Sequence, residues 1–413
     1  MILDKQRNPR LVAVDFDPFS QGEVVTMAPA TKAQREIWAA VQMEPAASLA
    51  FNESFSLRLR GPLNVNLFRD AFHRVLERHG ALRSTFTPDG VWACISSAIP
   101  SVLPLYDLTA LEPEDQEQRL TDESQREVTT PFDLVHGPLV RSQLFRLSPI
   151  DHVFLFTAHH IVCDGWSQGV VLSELADLYS GRDLPPAPSF ADYAAQDING
   201  SEDEAYWLAR FADGAPSLEL PVDRPRPRVR TYDAAREDLV LPTTLVNDLQ
   251  KLGARHGAST FATFLAGYAT LLHRLTGQED LIIGVPASGQ VRTGQDHLVG
   301  HCLSLLPVRL AVTSEQPFGE VLRGVRATLF EALDHQRPSF GRLLESLRLQ
   351  REPGRIPLVS TVFNKDRSAE RLDFEDLDVR YTSHARRYEI FELFINASVS
   401  TGNFVLAAQY NTN

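Results

Sequence analysis

Residues 159–165 read His-His-Ile-Val-Cys-Asp-Gly. An imidazole has an intrinsic pKa near neutrality, so it can accept or donate a proton where most side chains cannot. Two imidazoles, a carboxylate four residues beyond His160 and a glycine therefore form a compact acid–base set. Neighbouring strand residues point to opposite faces, so His159 and His160 cannot both enter one cavity if a strand runs up to them. One is expected to brace the turn through the backbone, and the other to do the chemistry. Asp164 could orient the working ring as a triad carboxylate does, or pair with an arginine and hold the loop. Its closeness to His160 in a tight turn favours the arginine pair, with Arg83 and Arg141 as candidate partners. Gly165 would permit close backbone approach by a substrate.

Other chemistries find less support. Adjacent histidines with a later aspartate also occur at metal sites, but here neighbouring side chains diverge and no third ligand stands at a chelating interval, so no metal is expected. No GxSxG nucleophile frame or glycine-rich phosphate loop is present. Cys163 follows apolar residues and reads as a buried, inert thiol. The set suits activation of an incoming nucleophile without a covalent enzyme intermediate.

Elements that could position it are legible in the apolar pattern. The run His152-Val-Phe-Leu-Phe-Thr-Ala158 is apolar on both faces, as in an interior strand covered by helices. Beyond the motif, Val170, Val171, Leu175, Leu178 and Tyr179 line a helix that Gly181 stops. Upstream, Thr31 is a candidate N-cap. A second helix follows Asn66 through Phe68, Phe72 and Leu76, with Gly80 placed to end it in a left-handed conformation. Leu82 to Phe86 and Val140 to Leu147 read as strands. Farther on, Ser259 caps a helix ended by Gly277, Leu281 to Val285 is a buried strand, Val321 to Leu333 is helical, and Phe404 to Tyr410 is a last strand. Proline density rises at 185–188 and 221–227. Two similar α/β lobes follow: 1–26 as an irregular lead-in containing Asp15-Phe-Asp-Pro-Phe19, 27–195 as the first lobe, and 196–413 as the second. The stop at Asn413, directly after a strand pattern, is expected where a longer protein continues.

A formal net charge of −13 has the wrong sign for nucleic acid. The local basic stretch Arg224-Pro-Arg-Pro-Arg228 with Arg230 reads as a solvated linker. Three scattered cysteines fit no disulfide framework and suit a reducing cytoplasm. No signal-peptide core and no apolar run of membrane-spanning length is present, so a cytoplasmic protein without a membrane partner is expected.

The motif resembles HHxxxDG of the condensation domains of nonribosomal peptide synthetases, and the resemblance extends over residues 27–413. Ala33-Gln-Arg-Glu-Ile-Trp38 is similar to that family's AQxxxW, Arg78-His-Gly-Ala-Leu-Arg83-Ser-Thr-Phe86 to RHExLRTxF, and Phe190-Ala-Asp-Tyr193 to YxDFA. Gly300-His-Cys-Leu-Ser-Leu-Leu-Pro-Val-Arg309 is similar to GxxVNxLPLR, His335-Gln-Arg-Pro338 with Phe340 to HQxxPF, and Tyr410-Asn-Thr412 to the start of YNTDLF. Gly80 stands in place of Glu, and Ser304 in place of Asn. Asp15-Phe-Asp-Pro-Phe19, Phe51-Asn-Glu-Ser54 and Gly300-His-Cys302 resemble condensation domains of hybrid polyketide–peptide assembly lines.

This resemblance implies an α/β fold of two chloramphenicol-acetyltransferase-like lobes, set as a V-shaped pseudodimer with a tunnel between them. It implies an acyltransferase that joins a carrier-bound acyl or peptidyl donor, or a polyketide one, to a carrier-bound aminoacyl acceptor. On this mapping His160 is the functional histidine and Gly165 lies where the acceptor arm arrives. His159 and Asp164 give the site its shape, with Arg83 and Arg141 in support, and Trp166 and Ser304 are tunnel candidates. Whether His160 removes the amine's proton or positions the amine is left open. The chain itself would hold no cofactor, since phosphopantetheine arrives on donor and acceptor carrier proteins. An adjacent adenylation domain is expected, and the isolated domain should be monomeric. Ester formation with a hydroxyl acceptor and a non-catalytic carrier-docking role are the other readings.

Overall fold

The computed structural model describes residues 23–97, 103–196, 201–347, 354–366, 372–400 and 403–413. Asp15-Phe-Asp-Pro-Phe19 lies outside them, and the boundary at 195/196 abuts residues 197–200, which also lie outside.

Two larger sheets organise the described residues. The first runs Asp378–Ser383, Asn52–Arg60, Asp151–His159, Val140–Ser148, Leu105–Asp107. The second runs Leu303–Ala311, Asp280–Ser288, Thr361–Lys365, Leu393–Ser400, Asn403–Asn411, Ala234–Leu241. A small third sheet joins Val24–Pro29, Trp92–Ser96 and Ser84–Phe86. The strand Asp151–His159 is interior and covered on both faces. Phe154 and Phe156 pack into a core with Phe68, Phe72 and Leu175, while Val153 and Leu155 pack with Phe145 and Leu147 and with the partly buried Leu120. That double burial explains its unbroken apolar sequence.

The helix Gly165–Tyr179 buries Val170, Val171, Leu172, Leu175 and Leu178 against this core. Each such side chain contributes about 1.5–3 kcal/mol before the ordering entropy is charged. Its strong anchoring fixes the start of the helix, and hence residues 159–165, against the sheet.

The expected N-caps are present at Thr31 and Ser259, and Gly277 ends its helix with φ 71°. The second helix begins slightly earlier than its apolar face suggested, as Val65–Arg78 capped by Asn64. Gly80 does not end it in a left-handed conformation. The chain leaves the helix through an extended His79, whose Nε2 meets Glu174 at 2.9 Å, and Gly80 opens a 3-10 turn to Arg83. The tie between His79 and Glu174 therefore replaces the glycine stop.

Asp378–Ser383 comes from the second half of the sequence yet pairs antiparallel with Asn52–Arg60. Val299 and Phe374 likewise pack into the first core. The range 27–195 thus does not contain the whole of the first sheet-and-helix unit.

Candidate active site

The strand register sets the first half of the site. Asn52 lies opposite His159 and Glu53 opposite Ala158, and the His160 N–H donates to the Phe51 carbonyl at 2.8 Å. The strand ends at His159, so His160 begins the turn and the two rings part. The His159 ring is fully buried between Phe51 and Phe132, and its Nδ1 accepts the Ile161 N–H at 3.2 Å. Burial pulls its pKa down to about 3, with repulsion from His160, His301 and Arg141 adding to the effect. This ring is a neutral brace for the turn.

The His160 ring lies elsewhere. Its Nδ1 faces Nδ1 of His301 at 3.0 Å, and its Nε2 is 3.6 Å from Oε1 of Glu53. Its side chain keeps 16% of its surface accessible. Burial first, and then the Arg386 guanidinium, lower its pKa below the usual imidazole range, with Asp164 opposing them. His301 is lowered by burial and by His160. Both rings are neutral at physiological pH, so each offers a lone pair and an N–H.

Asp164 does not pair with an arginine. It is fully buried and caps the helix Gly165–Tyr179. Its Oδ1 accepts the Ser167 N–H at 2.8 Å and the Ser167 hydroxyl at 2.7 Å, and its Oδ2 accepts the Cys302 N–H at 3.0 Å and the Gln290 amide at 3.2 Å. Four donors thus replace the expected cation. They tie the motif to residues 289–302, the connection between the paired strands Asp280–Ser288 and Leu303–Ala311.

Both expected arginine partners instead serve helix C-termini, where carbonyls lack intrahelical donors. Arg83 donates to the carbonyls of Leu76 and Glu77 at 3.1 Å each, at the end of Val65–Arg78, and also to that of Ser96. Arg141 donates to the Glu127 carboxylate at 2.6 Å and to the Glu127 and Thr130 carbonyls, closing Pro113–Thr129, and stacks over Phe132. Arg141 therefore reaches the motif only through the wall around His159.

Gly165 is exposed, and a Cβ built there would meet nothing within 4 Å. Trp166 donates its indole N–H to the Asp296 carbonyl at 2.8 Å, so it latches the helix start to the 289–302 connection. Ser304 sits half-buried opposite Ala287 on the second sheet. Burial pushes the Cys163 thiol well up, with Asp164 and Glu53 adding to the shift, which keeps it a poor nucleophile.

Glu53, His301 and Arg386 complete the site, and residue types alone did not select them. Arg386 follows the added strand Asp378–Ser383 and pairs with Glu53, while Glu389 lies 3.7 Å from its guanidinium. Nearby, the Asp366 carboxylate accepts from the amides of Asn364 and Asn396. Burial raises the pKa of Glu53 against the pull of Arg386. The sequence signals were indirect: Glu53 and His301 lie in two of the three stretches that resemble hybrid assembly-line domains, and His301 also lies in the stretch similar to GxxVNxLPLR.

Comparison with known proteins supplies the context. The family model described as Condensation domain matches residues 24–413. Tyrocidine synthase 3 of Brevibacillus parabrevis is 33% identical over 397 residues, 93% of this chain and 6% of that protein. Phosphinothricin tripeptide synthetase PhsC of Streptomyces viridochromogenes is 33% identical over 401 residues, 93% of this chain and 37% of that protein. The chain thus spans well under half the length of these relatives. Among solved structures, the condensation domain from Monacolin K polyketide synthase MokA superposes with a TM-score of 0.84 at 21% identity, covering 95% of this chain and 93% of that one. That likeness is one of fold.

Proposed function

We propose that this chain, which belongs to the condensation-domain family, joins a thioester donor to an amine acceptor, each presented by a partner carrier protein. The acceptor nitrogen attacks the donor carbonyl carbon. The N–C bond forms, the C–S bond breaks, and the proton lost by the amine accompanies the departing sulfur, which leaves as the thiol of the donor carrier's phosphopantetheine. The protein supplies orientation and electrostatics, because the nucleophile and the leaving group both belong to the substrates.

The carrying observation is the division between the two histidines. His159 is enclosed, with Nδ1 engaged by the backbone. His160 is the accessible ring, held by the Phe51 carbonyl and by His301, with Nε2 directed to the Glu53 side. A neutral Nε2 can accept an N–H of the acceptor amine. The open space at Gly165 supports arrival of an acceptor arm beside it, and Asp164 keeps the turn and the 289–302 connection in register. Phosphopantetheine is then a substrate arm, and a tunnel between the two sheet-bearing units is the route we assign to it. Trp166 and Ser304 are candidates for its wall.

Donor and acceptor carriers are the partners of this reading, with an adenylation domain as neighbour, and the domain acts as a monomer in the cytoplasm. The stretches Phe51-Asn-Glu-Ser54 and Gly300-His-Cys302 support a polyketide or peptidyl donor from a hybrid assembly line.

Reconstitution with two loaded carriers tests the assignment. His160→Ala, with its fold verified by near-UV circular dichroism, should abolish the amide product. Undiminished turnover would overturn the role of His160. Matched amine and alcohol acceptors distinguish amide from ester formation, and carrier binding without any product would point to docking alone.

A further inference from the structure

We propose that His301 is a positioning residue that fixes the tautomer of His160 through the contact between their Nδ1 atoms, an inference that rests on the reading of His160 above. The two atoms face each other at 3.0 Å, with the rings inclined at 74°. Such a contact has room for one proton. Two N–H groups would collide, and two lone pairs would repel and leave both buried nitrogens unsatisfied. The two neutral rings must therefore adopt opposite tautomers.

When His160 donates, its Nε2 presents a lone pair to the acceptor amine. When His301 donates, His160 carries its proton on Nε2, where it would meet the amine proton-first. The first arrangement is the one that serves the reaction, because it alone leaves Nε2 with a lone pair for the amine. Glu53 already accepts from Arg386 and from the Gln168 amide, and at 3.6 Å from Nε2 it lies outside hydrogen-bond range. A proton on Nδ1 has His301 as its acceptor.

His301 is itself held on both sides. The Gly300 N–H donates to the Ser167 hydroxyl at 3.0 Å, and the Cys302 N–H donates to Asp164 at 3.0 Å. Asp164 and Ser167 thus pin the residues on either side of His301, and the motif builds its own tautomer clamp through another segment of chain.

An imidazole in this position differs from the carboxylate of a hydrolase triad, because it brings no negative charge to stabilise an imidazolium. The ionisable groups around His160 are Asp164 and Glu53, which favour its protonation, and Arg386, His159 and His301, which oppose it. Asp366 and Glu389 lie behind Arg386. With no carboxylate on Nδ1, His160 acts as an acceptor that orients the amine, and it does not store the proton.

The test begins without substrate. In protein labelled with ring-15N histidine, with the two signals assigned from His160→Ala and His301→Asn, His160 should be protonated at Nδ1 and bare at Nε2. Protonation of His160 at Nε2 would overturn the proposal even if condensation proceeds normally, whereas failure of wild-type condensation with the expected tautomer would count against the function alone. In the reconstituted assay, His301→Leu should lower kcat on the order of 100-fold with little change in the acceptor KM. His301→Asn, whose amide oxygen can accept the same proton, should recover most of that loss. His301→Asp should move the acidic limb of kcat/KM upward by about one pH unit or more. An unmoved limb, or full activity of His301→Leu, would overturn the role. Should His301→Leu fail to fold, the Asn and Asp variants and the wild-type tautomer decide.

Discussion

Replacing Asp164 by Asn, nominally conservative, should be costly. The carboxylate is fully buried and only accepts: Ser167 supplies two donors to one oxygen, and Cys302 and Gln290 supply donors to the other. Asn keeps one acceptor oxygen and puts an NH2 group in place of the second. If the oxygen stays with Ser167, the NH2 faces the Cys302 N–H and the Gln290 amide. Gln290 could turn its own oxygen inward only by giving up the 2.7 Å hydrogen bond it accepts from Ser288. Each buried donor left unmade costs about 1–3 kcal/mol, so the two stranded by Asp164→Asn should cost roughly 2–6 kcal/mol. Asp164→Ala also strands the Ser167 donors that make the N-cap, and should lose at least about 1 kcal/mol more than Asp164→Asn. Urea unfolding followed by near-UV circular dichroism and tryptophan fluorescence measures both, with Trp166 as a local reporter. A variant as stable as wild type would show that relief of the carboxylate's desolvation outweighs the lost donors, and would refute the reasoning. A double-mutant cycle with Arg83→Ala should give a coupling within about 0.5 kcal/mol of zero. A larger coupling would restore the arginine pair.

Glu53→Gln leaves Arg386 buried with weaker compensation and should cost roughly 2 kcal/mol in urea unfolding; no loss would mean that Glu389 and Asp366 suffice. His159 has a folded pKa of about 3 against 6.5 unperturbed, so the unfolded chain binds its proton first as pH falls. The stability this ring contributes is complete above about pH 6.5 and is lost toward pH 3, with about 2 kcal/mol gone by about pH 5. The raised carboxylates Glu53, Asp366 and Glu389 act in the opposite sense, so the measurement is the stability gap between wild type and His159→Gln, which should narrow by about that amount on acidification. Gly165→Leu adds a side chain in open space and should change stability by less than about 0.5 kcal/mol. The same variant should lower turnover with the carrier-bound acceptor about tenfold or more, and normal turnover would remove Gly165 from the substrate path.

The sequence by itself determined the local part of this protein. Alternation and helical spacing mark the strand into His159 and the helix after it, side-chain oxygens at Thr31 and Ser259 mark helix starts, and Gly277 marks a helix end, because each depends on residues within a turn or two of one another. The divergence of the two histidines follows from the same short-range geometry. What only the tertiary structure decided is what surrounds them. Asp164 is satisfied by Gln290 and Cys302, which lie 126 and 138 residues away, and no periodicity announces that a connection between two strands of the other sheet will supply donors where an arginine was expected. Arg386 reaches Glu53 because Asp378–Ser383 joins the edge of the first sheet, and a strand's alternation says which face is buried but not which sheet it extends. His301 stood in a recognisable stretch, yet its meaning came only from a distance of 3.0 Å to His160. Backbone and caps answer to neighbours in sequence, whereas buried charges and ring protons answer to whichever groups burial forces together, and that is settled only when the sheets close on one another.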